Sequence, residues 1–121
     1  MAVKDDITTV QELKQYVATF IDEREWFQFH APKSLSMSIA VEAAELMEKF
    51  MWCENKASYA IVKEKKDEVQ QELADVIITA LCFARSADID IAAAVKNKMA
   101  INAKNYPVHK AKGRYTKHDE L

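Results

Sequence analysis

An all-α fold, a bundle of four helices, is what three features of the sequence predict. Apolar residues recur at helical spacing, as in Val10, Leu13, Val17, Phe20 and Ile21. Turn formers are scarce: one glycine, Gly113, and two prolines, Pro32 and Pro107. That scarcity argues against many-turned β folds and for a few long helices. The chain has 121 residues, half of them apolar, enough for one domain with a real core.

The first helix is expected over about 9–27, with Thr8 or Thr9 at its start, since a hydroxyl can cap the first free N–H groups. The sequence His30-Ala31-Pro32-Lys33 interrupts it, because proline disfavours helix in the residue before it. A second helix, capped by Ser34 or Ser36, is expected to run to about Cys53. After a short polar link, a third is expected over about 58–87. Its first half is charged and its second half is apolar nearly all round. Asp90 is a good N-cap for a fourth helix reaching about Asn105, and Pro107 closes it. Residues 108–121 form a polar tail on a single domain spanning 1–121.

The second and third helices are apolar over too much of their circumference for a small monomer. Such helices must be covered on all sides. A bundle that pairs with a second copy, as a homodimer or homotetramer, is the economical solution; a partner protein would serve equally.

Net charge is −2, which gives no electrostatic case for nucleic acid or a membrane surface as partner. No stretch has the length of uncharged apolar residues that a membrane span needs. The first residues, MAVKDDITTV, lack the apolar run of a signal peptide, so reduced thiols at Cys53 and Cys82 and a cytoplasmic location are expected. The final letters, HDEL, spell an endoplasmic-reticulum retention signal. With nothing to direct the chain into that route, they read as coincidence.

Chemistry concentrates in two acidic pairs. Between 35 and 47 the only charges are Glu42 and Glu45; between 73 and 84 the only charge is Asp75, with Glu72 just before it. Residues three apart share a helical face. On antiparallel helices the pairs Glu42-x-x-Glu45 and Glu72-x-x-Asp75 can converge. E-x-x-E is ordinary on a wet helix face, as the run from Glu64 to Glu68 illustrates. In apolar surroundings it is not, since a buried carboxylate costs several kcal/mol unless paired or metal-bound. Local cations are few: Lys49 and Arg85 are the first after each pair.

A divalent cation is the simplest compensation, and an all-oxygen ligand set suits Mg²⁺, with Mn²⁺ or Ca²⁺ as alternatives. The three histidines, His30, His109 and His118, lie off both helices, which disfavours iron and zinc. Magnesium usually meets a substrate phosphate, so phosphate chemistry on a small molecule is expected. A single glycine excludes a P-loop.

Other residues admit two readings. Trp26 and Trp52, with Phe27 and Phe29, can stack a base or simply fill a core. His30 can be a ligand contact or a satisfied loop histidine. Lys98 and Asn102 share a face of the last helix and can meet phosphates, or lie on a solvated surface.

The ordered blocks "REWFQFHAPKSL", "VEAAELMEKFMWC", Glu72-Leu-Ala-Asp75 and "KMAINAKNYP" resemble the MazG-like all-α nucleoside triphosphate pyrophosphohydrolases, dCTP pyrophosphatase branch, over about 10–107. The resemblance implies hydrolysis of a nucleoside triphosphate to monophosphate and pyrophosphate with Mg²⁺. It implies metal ligation by Glu42, Glu45, Glu72 and Asp75, one of which would also orient water, with Glu48 a lesser candidate. It implies base contacts from Trp26, His30 and Trp52, phosphate contacts from Lys98 and Asn102, and assembly as dimers or dimers of dimers. Eukaryotic relatives of the dCTP branch often carry tyrosine where Thr79 stands, so strict dCTP selectivity is not implied. Two alternatives keep their place: a non-catalytic helical regulator whose acidic face binds a basic partner, and an enzyme on another pyrophosphate-linked substrate.

Overall fold

The computed structural model describes residues 2–121, and among them every regular element is helical. α1 spans Val10–Glu23, and a 3₁₀ turn follows at Phe27–Phe29. α2 spans Pro32–Glu48, α3 Asn55–Glu64 and α4 Lys66–Ser86. α5 spans Ile91–Asn105 and α6 Val108–Ala111, before a last 3₁₀ turn at His118–Glu120. Two compact units result, one ending at Asp88 and the other spanning Ile89–Leu121. No helix among the described residues is long and apolar enough to cross a membrane.

Local chemistry accounts for the helix starts. Thr9 caps α1 through a reciprocal box: its hydroxyl accepts from the Glu12 N–H at 3.1 Å, and the Glu12 carboxylate accepts from the Thr9 N–H at 3.4 Å. Asp90 caps α5 by accepting from the Ala93 N–H at 2.9 Å. α2 departs from expectation. It starts at Pro32, with Ala31 as its cap, and not after the proline under Ser34 or Ser36. Proline suits the first helical position, where its missing N–H would have had no partner.

α1 also ends earlier than its periodicity suggests. The Trp26 N–H bonds to the Ile21 carbonyl at 3.0 Å and the Glu25 N–H to the Asp22 carbonyl at 3.0 Å. This is a Schellman closure, in which the residue after the cap adopts the left-handed conformation usually given to glycine. Here that residue is Glu25, at φ 54.

The long third helix is two helices. Lys65, at φ −116 and ψ 38, separates α3 from α4. Its N–H still bonds back to Ile61 at 2.8 Å, and its carbonyl already receives the Val69 N–H at 3.0 Å. The break therefore leaves the ladders on both sides closed. No glycine or proline marks it in the sequence. Beyond it α4 packs against α2, and α3 packs against α4.

In the first unit α4 packs against both α2 and α1. Ile21, Leu35 and Cys82 form the buried centre, with Val17 and Phe83 packed around it. Leu35, near the start of α2, meets Cys82, near the end of α4. Lys49, at the end of α2, pairs with Glu68, near the start of α4, at 3.5 Å. The two helices are therefore antiparallel. Their outward faces stay apolar: Met37 and Val41 on α2 are 61% and 56% exposed, and Leu73 and Ile77 on α4 are 49% and 48% exposed.

In the second unit, residues after α5 do not trail away. The Tyr106 and His118 rings meet edge to face at 5.6 Å between centroids.

Candidate metal centre and adjoining cavity

The antiparallel register of α2 and α4 brings the two acidic pairs together. Glu42, Glu45, Glu72 and Asp75 each offer one carboxylate oxygen, and these oxygens all lie within 4.8 Å of one another. Spacing put each pair on one helical face; helix packing turned the two faces toward each other.

The electrostatics are unfavourable without a cation. Glu42 and Glu72 are half-buried, and the Oε2 atom of each is shielded from solvent with no hydrogen-bond partner. Removal from water, reinforced by the charge and hydrogen bond of Glu45 and by the charges of Asp75 and Glu72, pushes the Glu42 carboxyl above its ordinary value. The two cations that follow the acidic pairs in sequence are engaged elsewhere. Lys49 pairs with Glu68, and Arg85 pairs with Asp22 at 2.9 Å. Two orphaned oxygens in a cluster of four carboxylates fit a hard divalent cation such as Mg²⁺ or Mn²⁺.

A cavity of about 550 Å³ adjoins this cluster, and Glu42 and Asp75 belong to its wall. Trp26 and His30 line the same cavity, so two of the residues proposed for base contact share a space with two of the acidic residues. Trp26 is braced by Phe20, edge to face at 5.8 Å. Burial, and then the Arg85 charge, lower the His30 pKa, which favours the neutral imidazole. Thr79 also lines the cavity, and its hydroxyl donates to the Asp75 carbonyl at 2.8 Å. The hydroxyl proton is thus committed to the backbone.

Three residues proposed from the sequence stand differently. Trp52 is 92% exposed and is not part of this cavity. Lys98 and Asn102 share a face of α5 in the second unit, where the Asn102 amide donates to the Met99 sulfur at 3.8 Å. Tyr16, Ser38 and Cys82 line the cavity without having been singled out. Tyr16 precedes Phe20 by one turn, the one signal that could have flagged it. Cys82 is buried, and burial raises its thiol pKa, which keeps it protonated. Both cysteines are free.

Residues 37–121 match the MazG-like family. dCTP pyrophosphatase 1 of Rattus norvegicus is 33% identical over 115 residues, covering 93% of this chain and 68% of the relative. The Homo sapiens protein of the same name matches with the same identity and coverage. A crystal structure of a pyrophosphatase from Archaeoglobus fulgidus superposes with a TM-score of 0.79 at 36% identity, covering 88% of this chain and 99% of that one. With the motif Glu42-x-x-Glu45, Glu72-x-x-Asp75 closed into one cluster and likeness found in sequence and structure alike, the chain belongs to the MazG-like family.

Proposed function

We propose that this protein is a Mg²⁺-dependent nucleoside triphosphate pyrophosphohydrolase that cleaves dCTP-like nucleotides to the monophosphate and pyrophosphate, with Mn²⁺ as an alternative metal. The observation that carries the reading is the shared wall. Glu42 and Asp75 belong both to the four-carboxylate cluster and to a cavity faced by Trp26 and His30. A nucleotide presents the matching arrangement, a flat base at one end and an anionic triphosphate at the other. The names of the relatives, dCTP pyrophosphatase 1 and a pyrophosphatase, support the same assignment.

Each residue has a task in this reading. Trp26 stacks the base, since every base has a π-face that an indole can cover. His30, neutral at physiological pH, hydrogen-bonds the base without adding charge. Glu42, Glu45, Glu72 and Asp75 hold the metal, which supplies charge neutralisation and polarisation of the phosphate oxygens. A carboxylate of that set, or Glu48 one turn further along α2, orients the attacking water. Lys98 and Asn102 as phosphate contacts, and Trp52 as a base contact, rest on the family resemblance. With Thr79 in place of the tyrosine common in the dCTP branch, dCTP leads a ranking that extends to related pyrimidines.

Assembly as a homodimer or homotetramer completes the picture. The apolar outer faces of α2 and α4 support it, because a helix apolar on several sides is stable only when covered. The corresponding cellular task is removal of surplus or unwanted nucleotides in the cytoplasm.

A hydrolysis panel tests the proposal. The full chain is assayed with Mg²⁺ against the common nucleoside and deoxynucleoside triphosphates, and products are separated. Monophosphate plus pyrophosphate, with dCTP fastest, is expected. Orthophosphate with diphosphate retained would contradict it. No turnover and no Mg²⁺ response would favour a non-catalytic helical regulator with an acidic face.

A further inference from the structure

The aromatic wall of the cavity is carried by a segment with little structure of its own. Between Glu23 and Pro32 the chain passes through Glu25 at φ 54, a three-residue 3₁₀ turn, and His30 at φ −91 and ψ 57. Trp26 and His30 both come from this segment. The carboxylates come from α2 and α4. Something must set the distance between the two halves of the site.

The last turn of α4 supplies two contacts that do so. The Arg85 Nη2 atom donates to both oxygens of Asp22 on α1, at 2.9 Å each. The same guanidinium lies over the Phe27 ring, 4.2 Å from its centroid. Its Nη1 atom is shielded from solvent with no hydrogen-bond partner, although the Asp22 carboxylate it pairs with is half exposed. Next to it, the Ser86 hydroxyl donates to the His30 carbonyl at 2.7 Å. One residue thus ties α1 and the 3₁₀ turn to α4, and its neighbour ties the backbone of a cavity residue to the same helix.

We infer that Arg85, seconded by Ser86, is a positioning residue that holds the Trp26 and His30 wall in register with the carboxylates of α4. The inference rests on the reading of the cavity as a nucleotide site. Arg85 is not itself a lining residue of that cavity, so it acts through Phe27, while Ser86 acts through His30. A lysine cannot fully replace Arg85, because a point charge on a flexible stem does not stack flat on a ring as the guanidinium does on Phe27. The site most affected is base binding. The metal cluster, held by α2 and α4 directly, is left intact.

The test compares unmodified protein with Arg85→Lys and Ser86→Ala, each as the full chain, with dCTP and Mg²⁺. KM in Arg85→Lys is expected to rise about tenfold, a loss of about 1.4 kcal/mol, with kcat little changed, the signature of lost ground-state and transition-state binding alike. Ser86→Ala is expected to shift KM in the same direction and less. The Mg²⁺ concentration that half-saturates thermal stabilisation should not move. A readout free of turnover comes from a Trp52→Phe background, where Trp26 is the remaining tryptophan. Its emission should shift to the red when Arg85→Lys is added. Unaltered KM and unaltered emission in both variants would overturn the inference while leaving the hydrolase reading in place. So would a parallel fall of kcat, Mg²⁺ response and melting temperature, which marks a purely structural ion pair. Absence of turnover by the unmodified protein would overturn the nucleotide reading, and this inference with it.

Discussion

Glu42 on α2 and Glu72 on α4 each keep one carboxylate oxygen, Oε2, out of solvent and without a hydrogen-bond partner, and both residues belong to one cluster of four acidic side chains whose ligand oxygens lie within 4.8 Å. Like charges at that separation repel, and removal from water adds to the cost. The metal-free fold is therefore strained at this point.

Mg²⁺ is expected to stabilise the protein, because the folded cluster binds it far better than the unfolded chain. At a concentration 100 times its dissociation constant the gain is about 2.7 kcal/mol. Asp75→Asn removes one charge at nearly equal size. It should abolish hydrolysis, leave the chelator-treated protein at least as stable, and blunt the Mg²⁺-induced rise in melting temperature. If Asp75 instead served a buried ion pair, the same change would destabilise by about 3–5 kcal/mol. Melting curves of both proteins in chelator and in Mg²⁺ separate these outcomes.

The raised pKa of Glu42 sets a pH dependence for the metal-free state. Its ordinary value is 4.5, and the folded value lies higher. Between the two, the folded protein binds more protons than the unfolded chain, so stability falls as pH rises. Below the ordinary value the folded state pays no penalty at this site; above the folded value the penalty is complete. Glu42→Gln should flatten this dependence and stabilise the chelator-treated protein near neutral pH. Denaturant titrations across the acidic range, in chelator, compare the two. A steeper loss toward neutral pH in Glu42→Gln than in wild type would show that the assigned cause is wrong.

Trp26 is 46% exposed and braced on one side by Phe20, so its ring serves the cavity more than the core. Trp26→Ala should weaken nucleotide binding by about 1–3 kcal/mol, the range for base stacking, while the protein stays folded. Calorimetric titration with a nucleotide and Mg²⁺, alongside a melting curve, tests this. Unfolding of the variant, or normal binding by it, would return Trp26 to a structural role.

Glu25 occupies a left-handed position, at φ 54, where side chains other than glycine are strained by roughly 1–2 kcal/mol. Its backbone carbonyl accepts the Gln28 amide at 2.9 Å and would still do so in a variant. Glu25→Gly should raise stability by about 1 kcal/mol, since relief of strain outweighs the added freedom of the unfolded chain. Thr9→Ala, which opens the capping box of α1, should lower it by about the same amount. Urea denaturation of the two variants checks both signs.

What the sequence determined by itself was whatever neighbours in the chain decide. Thr9 and Asp90 cap their helices through hydrogen bonds to residues three positions on, so the starts of α1 and α5 were legible. Glu42 and Glu45, and Glu72 and Asp75, share faces because helix geometry puts residues three apart together. The scarcity of glycine and proline pointed to helices throughout. Tertiary structure decided the rest. The helix stop at Glu25 uses a left-handed residue that is not glycine, so the usual signal was missing. The break at Lys65 has no glycine or proline to mark it, so no local signal announced it. Tyr16, Ser38 and Cys82 entered the cavity wall because α1, α2 and α4 pack together. The contacts that hold the aromatic segment join Arg85 to Asp22 across 63 positions and Ser86 to His30 across 56. A periodic pattern says which face of a helix is buried; which partner meets that face depends on the closing of long loops, and only the packed chain resolves it.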